Sequence, residues 1–186
     1  MGMPALSDVT TIEQMLALPD DGQRHELLDG VRVVTPSPAY RHQAIHTGIF
    51  GHLMRCLAEV REFEVLSSPA DIVLGPKTLV QPDLFVIRVN PVHPPRAWAD
   101  VGVPVLAIEI LSPGTATRDR GAKRRIYQRA GVGEYWIVDS DARLVERWAP
   151  SDARPEIVEG VLEWHLERVS GTLDFPAVFA RALGEG

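Results

Sequence analysis

Apolar positions along the chain follow two rhythms. Between Tyr40 and Val60 they fall at Ile45, Ile49, Leu53 and Leu57, with Phe50 and Met54 beside them. That spacing draws one apolar stripe along a helix with a core on one side. A shorter stripe, Ile12, Met15, Leu16 and Leu18, follows Thr10-Thr11 and closes at Pro19-Asp20-Asp21-Gly22, predicting a short amphipathic helix. The second rhythm is the short run of strand length. Arg24–Leu28 and Val31–Thr35 flank Asp29-Gly30, a dipeptide that supplies the positive φ of a tight hairpin turn. Phe63–Leu66 and Ala70–Leu74 read as strands, as do Glu134–Asp139 and Leu144–Trp148 on either side of Ser140–Arg143. Leu79-Val80 and Leu84–Ile87 read as a single strand interrupted by Pro82-Asp83. Between Asn90 and Val101 a proline-rich stretch predicts a long, mobile loop on the substrate side. The tail alternates loosely from Glu156 to Val169, and a short helix is expected near Ala177–Leu183.

The most informative run is Val105–Leu111, apolar and bounded by Pro and Gly in the manner of a buried strand. Glu109 lies inside it. A carboxylate at core depth costs several kcal/mol unless a partner or a cation answers it. Asp83 is a second acid of this kind, and two neighbouring strands can bring the two carboxylates together. Such a pair suits a hard divalent cation, which takes one or two carboxylates, waters and substrate phosphate. After the turn Ser112-Pro113-Gly114-Thr115 a helix is expected, with Asp119 as cap or first-turn acid, Lys123, Ile126, Tyr127 and Ala130 at helical spacing, and Gly131 as its stop. Lys123 would supply a positive charge near an attacking water or a developing phosphorane oxygen.

The ordered set Pro82-Asp83, Glu109-Ile110-Leu111, Asp119 with Lys123, and Gly131-Val-Gly-Glu-Tyr-Trp136 resembles the PD-(D/E)XK nuclease superfamily. Within it the chain is most similar to the bacterial Uma2 family of restriction-endonuclease-like proteins. Through Glu26-Leu-Leu-Asp-Gly30 and His42 the resemblance spans roughly residues 10 to 150. It implies an α/β (α+β) fold, a mixed β-sheet core flanked by helices with an N-terminal β-hairpin. It implies an endonuclease that hydrolyses DNA phosphodiester bonds with Mg²⁺ or Mn²⁺ to give a 5′-phosphate and a 3′-hydroxyl. Asp83, Glu109 and the carbonyl of Ile110 would hold the metal, and Glu26 would be a further ligand or support one. His42 would line the site, binding phosphate or orienting a carboxylate. The superfamily lysine two residues after the Glu is Leu111 here, so the resemblance transfers that role to Lys123.

With 186 residues, 45% of them hydrophobic, the length fits one nuclease-like domain, core about 10–150 and C-terminal strands and a short helix over 151–186. A formal charge of −6 argues against nucleic-acid binding by bulk electrostatics. Locally, however, Arg118, Arg120, Lys123, Arg124, Arg125 and Arg129 face only Asp119, a basic patch that makes Arg120 and Arg124 candidate substrate contacts. The same residues equally describe a solvated helix face. The single cysteine, Cys56, fits a reducing compartment, and no apolar segment reaches the roughly 20 residues of a membrane span. The N-terminus lacks the pattern of a secretory signal, so a cytoplasmic protein is expected, without a small-molecule cofactor. His42-Gln-Ala-Ile-His46 imitates a zinc-protease helix but has Gln43 where the catalytic Glu belongs. Aromatic residues near Trp148 and Trp164, taken as exposed, together with the fold, suggest a homodimer. Two alternatives to the nuclease stay open: a non-catalytic nucleic-acid or protein-binding module on the same fold, and a structural protein in which Asp83, Glu109, Lys123 and Arg124 form a buried ion-pair network.

Overall fold

The computed structural model describes residues 9–185, so the N-terminal residues read for a signal lie outside the described part. α1 (Ile12–Leu16) starts at a reciprocal cap. The Thr11 hydroxyl accepts from the Gln14 amide at 3.3 Å, and the Gln14 side chain accepts from the Thr11 amide at 3.1 Å. β1 (Arg24–Leu28) and β2 (Val31–Thr35) form the expected hairpin, with Asp29 and Gly30 both at positive φ. α2 (Tyr40–Leu57) follows, burying Ile45, Ile49, Leu53 and Leu57. Then come β3 (Phe63–Ser67), β4 (Ile72–Gly75), β5 (Thr78–Val80) and β6 (Leu84–Arg88).

Residues 79–87, expected as one strand, belong to two. β5 belongs to a four-stranded sheet of order β2-β1-β5-β4, whereas β6 pairs with β3 in another sheet. Pro82 has no N–H to continue a ladder, and the chain leaves the first sheet at Gln81-Pro82-Asp83 and enters the second. Asp83 therefore sits at the seam between two sheets.

β7 (Leu106–Ile110) pairs antiparallel with β6, Leu84 opposite Ile108, which brings Asp83 beside the Glu109-Ile110 end of β7. A helical crossover then leads to β8 (Glu134–Asp139), parallel to β7, with Leu106 opposite Glu134. β9 (Leu144–Trp148) and β10 (Glu156–Val158) complete a six-stranded mixed sheet of order β10-β9-β8-β7-β6-β3. β11 (Val161–Leu166) and β12 (Val169–Asp174) form a separate ribbon, and α5 (Phe175–Leu183) closes the described chain.

The six-stranded sheet is covered on both faces. On one, α2 and Phe175, Phe179 and Ala182 of α5 pack against Leu106, Ile108, Trp136 and Val138. On the other, Phe85, Ala107, Tyr135 and Ile137 meet Ile126 and Tyr127 of the crossover helix and Leu28, Ile72 and Val80 of the smaller sheet. The expected mixed sheet core flanked by helices, with its N-terminal hairpin, is what the chain forms.

Two further expectations change. The Asn90–Val101 stretch leaves from the end of β6 opposite Asp83, and none of its residues lines the cleft that holds the acids, so the expected place on a substrate side is not taken. Trp98 instead packs its ring 6.3 Å from that of Phe85. Trp148 and Trp164 are buried, so the aromatic surface invoked for a homodimer is absent at those residues. Trp164 lies against Gly171, where a Cβ would stand 2.4 Å from the indole. No helix among the described residues is long and apolar enough to cross a membrane.

Candidate active site

Four acids and three arginine or lysine side chains line one cleft of about 260 Å³: Glu26, Asp83, Glu109 and Asp119, against Arg24, Arg118 and Lys123. Each arrives from a different local device. Glu26 points inward from the central position of β1 and is fully buried. Asp83 comes from the seam and Glu109 from β7, next to its C-terminal end. Lys123 comes from the crossover, built from α3 (Ala116–Arg118), a π-helical turn over Asp119–Lys123, and α4 (Arg124–Ala130). π turns are rare and cluster at functional sites; this one buries Asp119 and Lys123 together. Asp119, expected as cap or first-turn acid, is the acid of the first turn of this π-helical stretch and not the cap. The cap position is Thr115, and the Ser112 amide donates to its hydroxyl at 3.2 Å. Gly131 ends α4 in the left-handed conformation, φ +79°, as its position predicted.

The Lys123 ammonium bridges two strands. Its Nζ stands 2.8 Å from Glu26 Oε1 and 2.5 Å from Glu109 Oε1. The buried Tyr127 hydroxyl, one helical turn on, donates to Glu109 Oε1 at 2.9 Å, and the Gln81 amide donates to Glu26 Oε1 at 2.8 Å. The second oxygen of Glu26 is buried without a hydrogen-bond partner. Asp83 is held on three sides: Arg24 Nη1 at 3.0 Å from Oδ1, and His42 Nε2 at 3.1 Å and the Ile110 amide at 2.9 Å from Oδ2. Arg24 also donates to the Gln81 carbonyl at 2.5 Å, tying β1 to the seam. Arg118 reaches Thr35 Oγ1 at 3.1 Å, closing the cleft between hairpin and crossover.

These neighbours set the charges. Burial pushes Asp83 up, but the His42 hydrogen bond and charge, the Arg24 guanidinium and the Ile110 amide outweigh it and hold the carboxyl well below its ordinary range. Glu109 goes the other way. Burial, reinforced by Asp83, Asp119 and Glu26 and only partly offset by Lys123, pushes it up to about 8. Burial alone would lower Lys123, yet Glu109, Glu26 and Asp119 together raise it above its ordinary value, so the lysine is an ammonium throughout and no general base. Asp119 is raised by burial as well.

Among the described residues no three or more His, Cys, Asp or Glu side chains stand in metal-holding geometry. The donor set nevertheless fits a hard divalent cation. Two carboxylates and a strand-end carbonyl are oxygen ligands of the kind Mg²⁺ takes while keeping several waters. The cleft holds one more acid than the arginine and lysine cations that answer it, and Glu26 keeps an unpartnered buried oxygen.

Of the residues singled out in the sequence, Glu26, His42, Asp83, Glu109, Ile110 and Lys123 all line this cleft. Arg120 and Arg124 do not. Arg120 binds Glu146 at 2.5 Å and Asp139 at 2.7 Å, and Arg124 lies 4.6 Å over the Trp148 ring, outside the acid network. Arg24, Arg118 and Tyr127 take places not foreseen. Arg24 lies two residues before Glu26 on one strand, and so on the same face, a signal available in the sequence. Tyr127, four residues after Lys123 on one helix face, carried a similar signal. Arg118 had none beyond its place in the basic run.

The sequence profile of the Uma2 family, described as "putative restriction endonuclease", matches residues 12–183. A solved structure of a putative nuclease belonging to DUF820 from Anabaena variabilis ATCC 29413 superposes with a TM-score of 0.78 at 18% identity, over 92% of this chain and 98% of the other. At that identity the likeness speaks for the fold alone. No curated protein matches the chain.

Proposed function

The chain belongs to the Uma2 family of "putative restriction endonucleases", and from that premise we propose that it is a metal-dependent endonuclease hydrolysing DNA phosphodiester bonds. One observation carries the reading: Lys123 Nζ stands in a buried cleft against Glu109, with Asp83 on the adjoining strand end of the same cleft. Asp83, Glu109 and the Ile110 carbonyl would hold Mg²⁺ or Mn²⁺, with Glu26 as a further ligand. The amide of Ile110 points at Asp83 and that of Leu111 at Val138 on the other side, so in extended backbone the Ile110 carbonyl shares the Asp83 side. When bound, such an ion lowers the pKa of a water and offsets charge on the phosphoryl oxygens.

The protein's own groups do the rest. His42 and Arg24 fix both oxygens of Asp83 and keep it ionised. Tyr127 fixes Glu109. Lys123, permanently charged, stabilises the negative charge that develops on the phosphoryl oxygens, and its position between Glu26 and Glu109 keeps it from swinging away. The 5′-phosphate and 3′-hydroxyl products, a cytoplasmic location, one domain over 1–186 and a homodimer belong to the same reading. For the dimer, the surface on offer is the edge strand β10 with its half-exposed Ile157.

The closed Lys123–Glu26–Glu109 ion pair also favours a second reading, a binding module that keeps the fold without turnover. Plasmid and oligonucleotide cleavage with Mg²⁺ or Mn²⁺ separates the two. The nuclease predicts nicking that Asp83→Asn removes while folding is kept. Absence of metal-dependent cleavage on every DNA form, with metal binding intact, supports the module.

A further inference from the structure

We infer that DNA reaches this site as an unpaired strand and not as a continuous duplex, gripped by Arg24 and Arg118 and stacked through a base on Tyr40; this rests on the nuclease reading above. The reactive groups are recessed: Asp83, Glu109 and Lys123 are 5%, 4% and 1% exposed. The cleft of about 260 Å³ meets a second of about 360 Å³, the two sharing Arg24, Pro38, His42 and Asp83. Pockets for drug-sized molecules run from about 300 to 1,000 Å³, so the second part reaches that range and the first falls just short of it. Phosphates of a duplex follow a fixed path around a stiff rod. Bringing one to the floor of this recess requires the strand to leave its partner, whereas a single strand bends in freely.

The charges agree. A duplex footprint draws on a broad basic face, but Arg120 is answered by Asp139 and Glu146, Arg129 by Asp29 and Arg41 by Asp141. Arg24 and Arg118 are the guanidinium groups that line the cleft itself, Arg24 at 3.0 Å from Asp83 and Arg118 at 3.8 Å from Asp119. An exposed aromatic adjoins its lining in the sequence. Tyr40 opens α2 directly after the lining residues Pro38 and Ala39, and it is 85% exposed. An exposed ring beside a cationic groove is the arrangement by which single strands are held, since every base has a face to stack.

Binding without turnover tests this. Fluorescence anisotropy in Ca²⁺, at one salt concentration, compares a short single strand, a blunt duplex and the same duplex with single-stranded tails. Single-stranded and tailed forms are expected to bind about tenfold or more tighter than the blunt duplex. Tyr40→Ala, a surface change, is expected to weaken single-strand binding about 5- to 150-fold, the range that stacking of one base spans, and Tyr40→Phe to restore it. Arg118→Ala should reduce the salt slope by about one. Equal or tighter binding of blunt duplex, or a Tyr40→Ala protein unchanged on single strands, overturns the inference and leaves the nuclease reading standing. No binding to any DNA by a protein that still takes up Ca²⁺ sinks both.

Discussion

At the scale of the residue, Lys123 and Glu109 decide the charge of the cleft. Lys123 has three carboxylates around it, and removing it leaves Glu26 and Glu109 buried without a cation. Breaking a buried pair from one side costs about 3–5 kcal/mol, so Lys123→Met is expected to lose that much in urea unfolding at about pH 9, above the value of Glu109. A loss below about 1 kcal/mol would show that water already shields the acids. Glu109 makes a pH prediction. Its folded value near 8 lies above the ordinary ~4.3 of an unfolded Glu. Between the two, the folded state holds a proton that the unfolded state has released, so stability falls as pH rises through that window. Asp83, depressed, has the opposite sign: its contribution is present above ~3.9 and is lost as pH falls below it. Thermal melts from pH 5 to 9 should therefore slope downward for the wild type and flatten in Glu109→Gln; identical slopes would contradict the placement of that proton. Both acids were legible in the sequence because a charge inside an apolar run demands an explanation. Their partners were not, since Arg24 lies 59 residues from Asp83 and His42 lies 41 from it, and only the fold joins them.

At the scale of the element, periodicity worked where one element obeys one rule. The stripe of α2 and the Asp29-Gly30 hairpin were read from spacing and turn chemistry, and both formed. It failed at residues 78–88, where two strands of different sheets are continuous in hydrophobicity and only Pro82 marks the break. The π turn left no mark in the pattern either, because Asp119 and Lys123 fit an ordinary helical repeat. Gly133 shows what the Gly-Val-Gly-Glu-Tyr-Trp motif does physically. A Cβ there would stand 2.6 Å from the Val105 carbonyl, which accepts from the Glu134 amide where β7 and β8 begin their parallel pairing. Gly133→Ala should cost about 1–3 kcal/mol, as overpacking does. Gly114→Ala, with open space around it on the cleft wall, should leave the melting temperature unchanged. Equal effects in the two would refute this account of the motif.

At the scale of the molecule, two sheets and a crossover helix meet at one seam, and the cleft there collects more buried acid than arginine or lysine. Once Glu109 has released its proton, four carboxylates face three arginine or lysine cations in a low-dielectric recess, an imbalance that a divalent cation relieves. Binding it requires Glu109 to give up its proton, so affinity should rise between pH 6.5 and 8.5 with proton release. The formal charge of −6 is no obstacle, because the chemistry lies in a recess with its own cations and not on a general surface. The most direct measurement is calorimetric titration of Mn²⁺ into the purified protein, with Asp83→Asn and Glu109→Gln alongside. Saturable binding in the wild type, lost in both folded variants, is the predicted result. Negligible heats in all three, or binding that survives both substitutions, would contradict a metal site at these carboxylates and make Lys123–Glu26–Glu109 an ion pair held for structure alone.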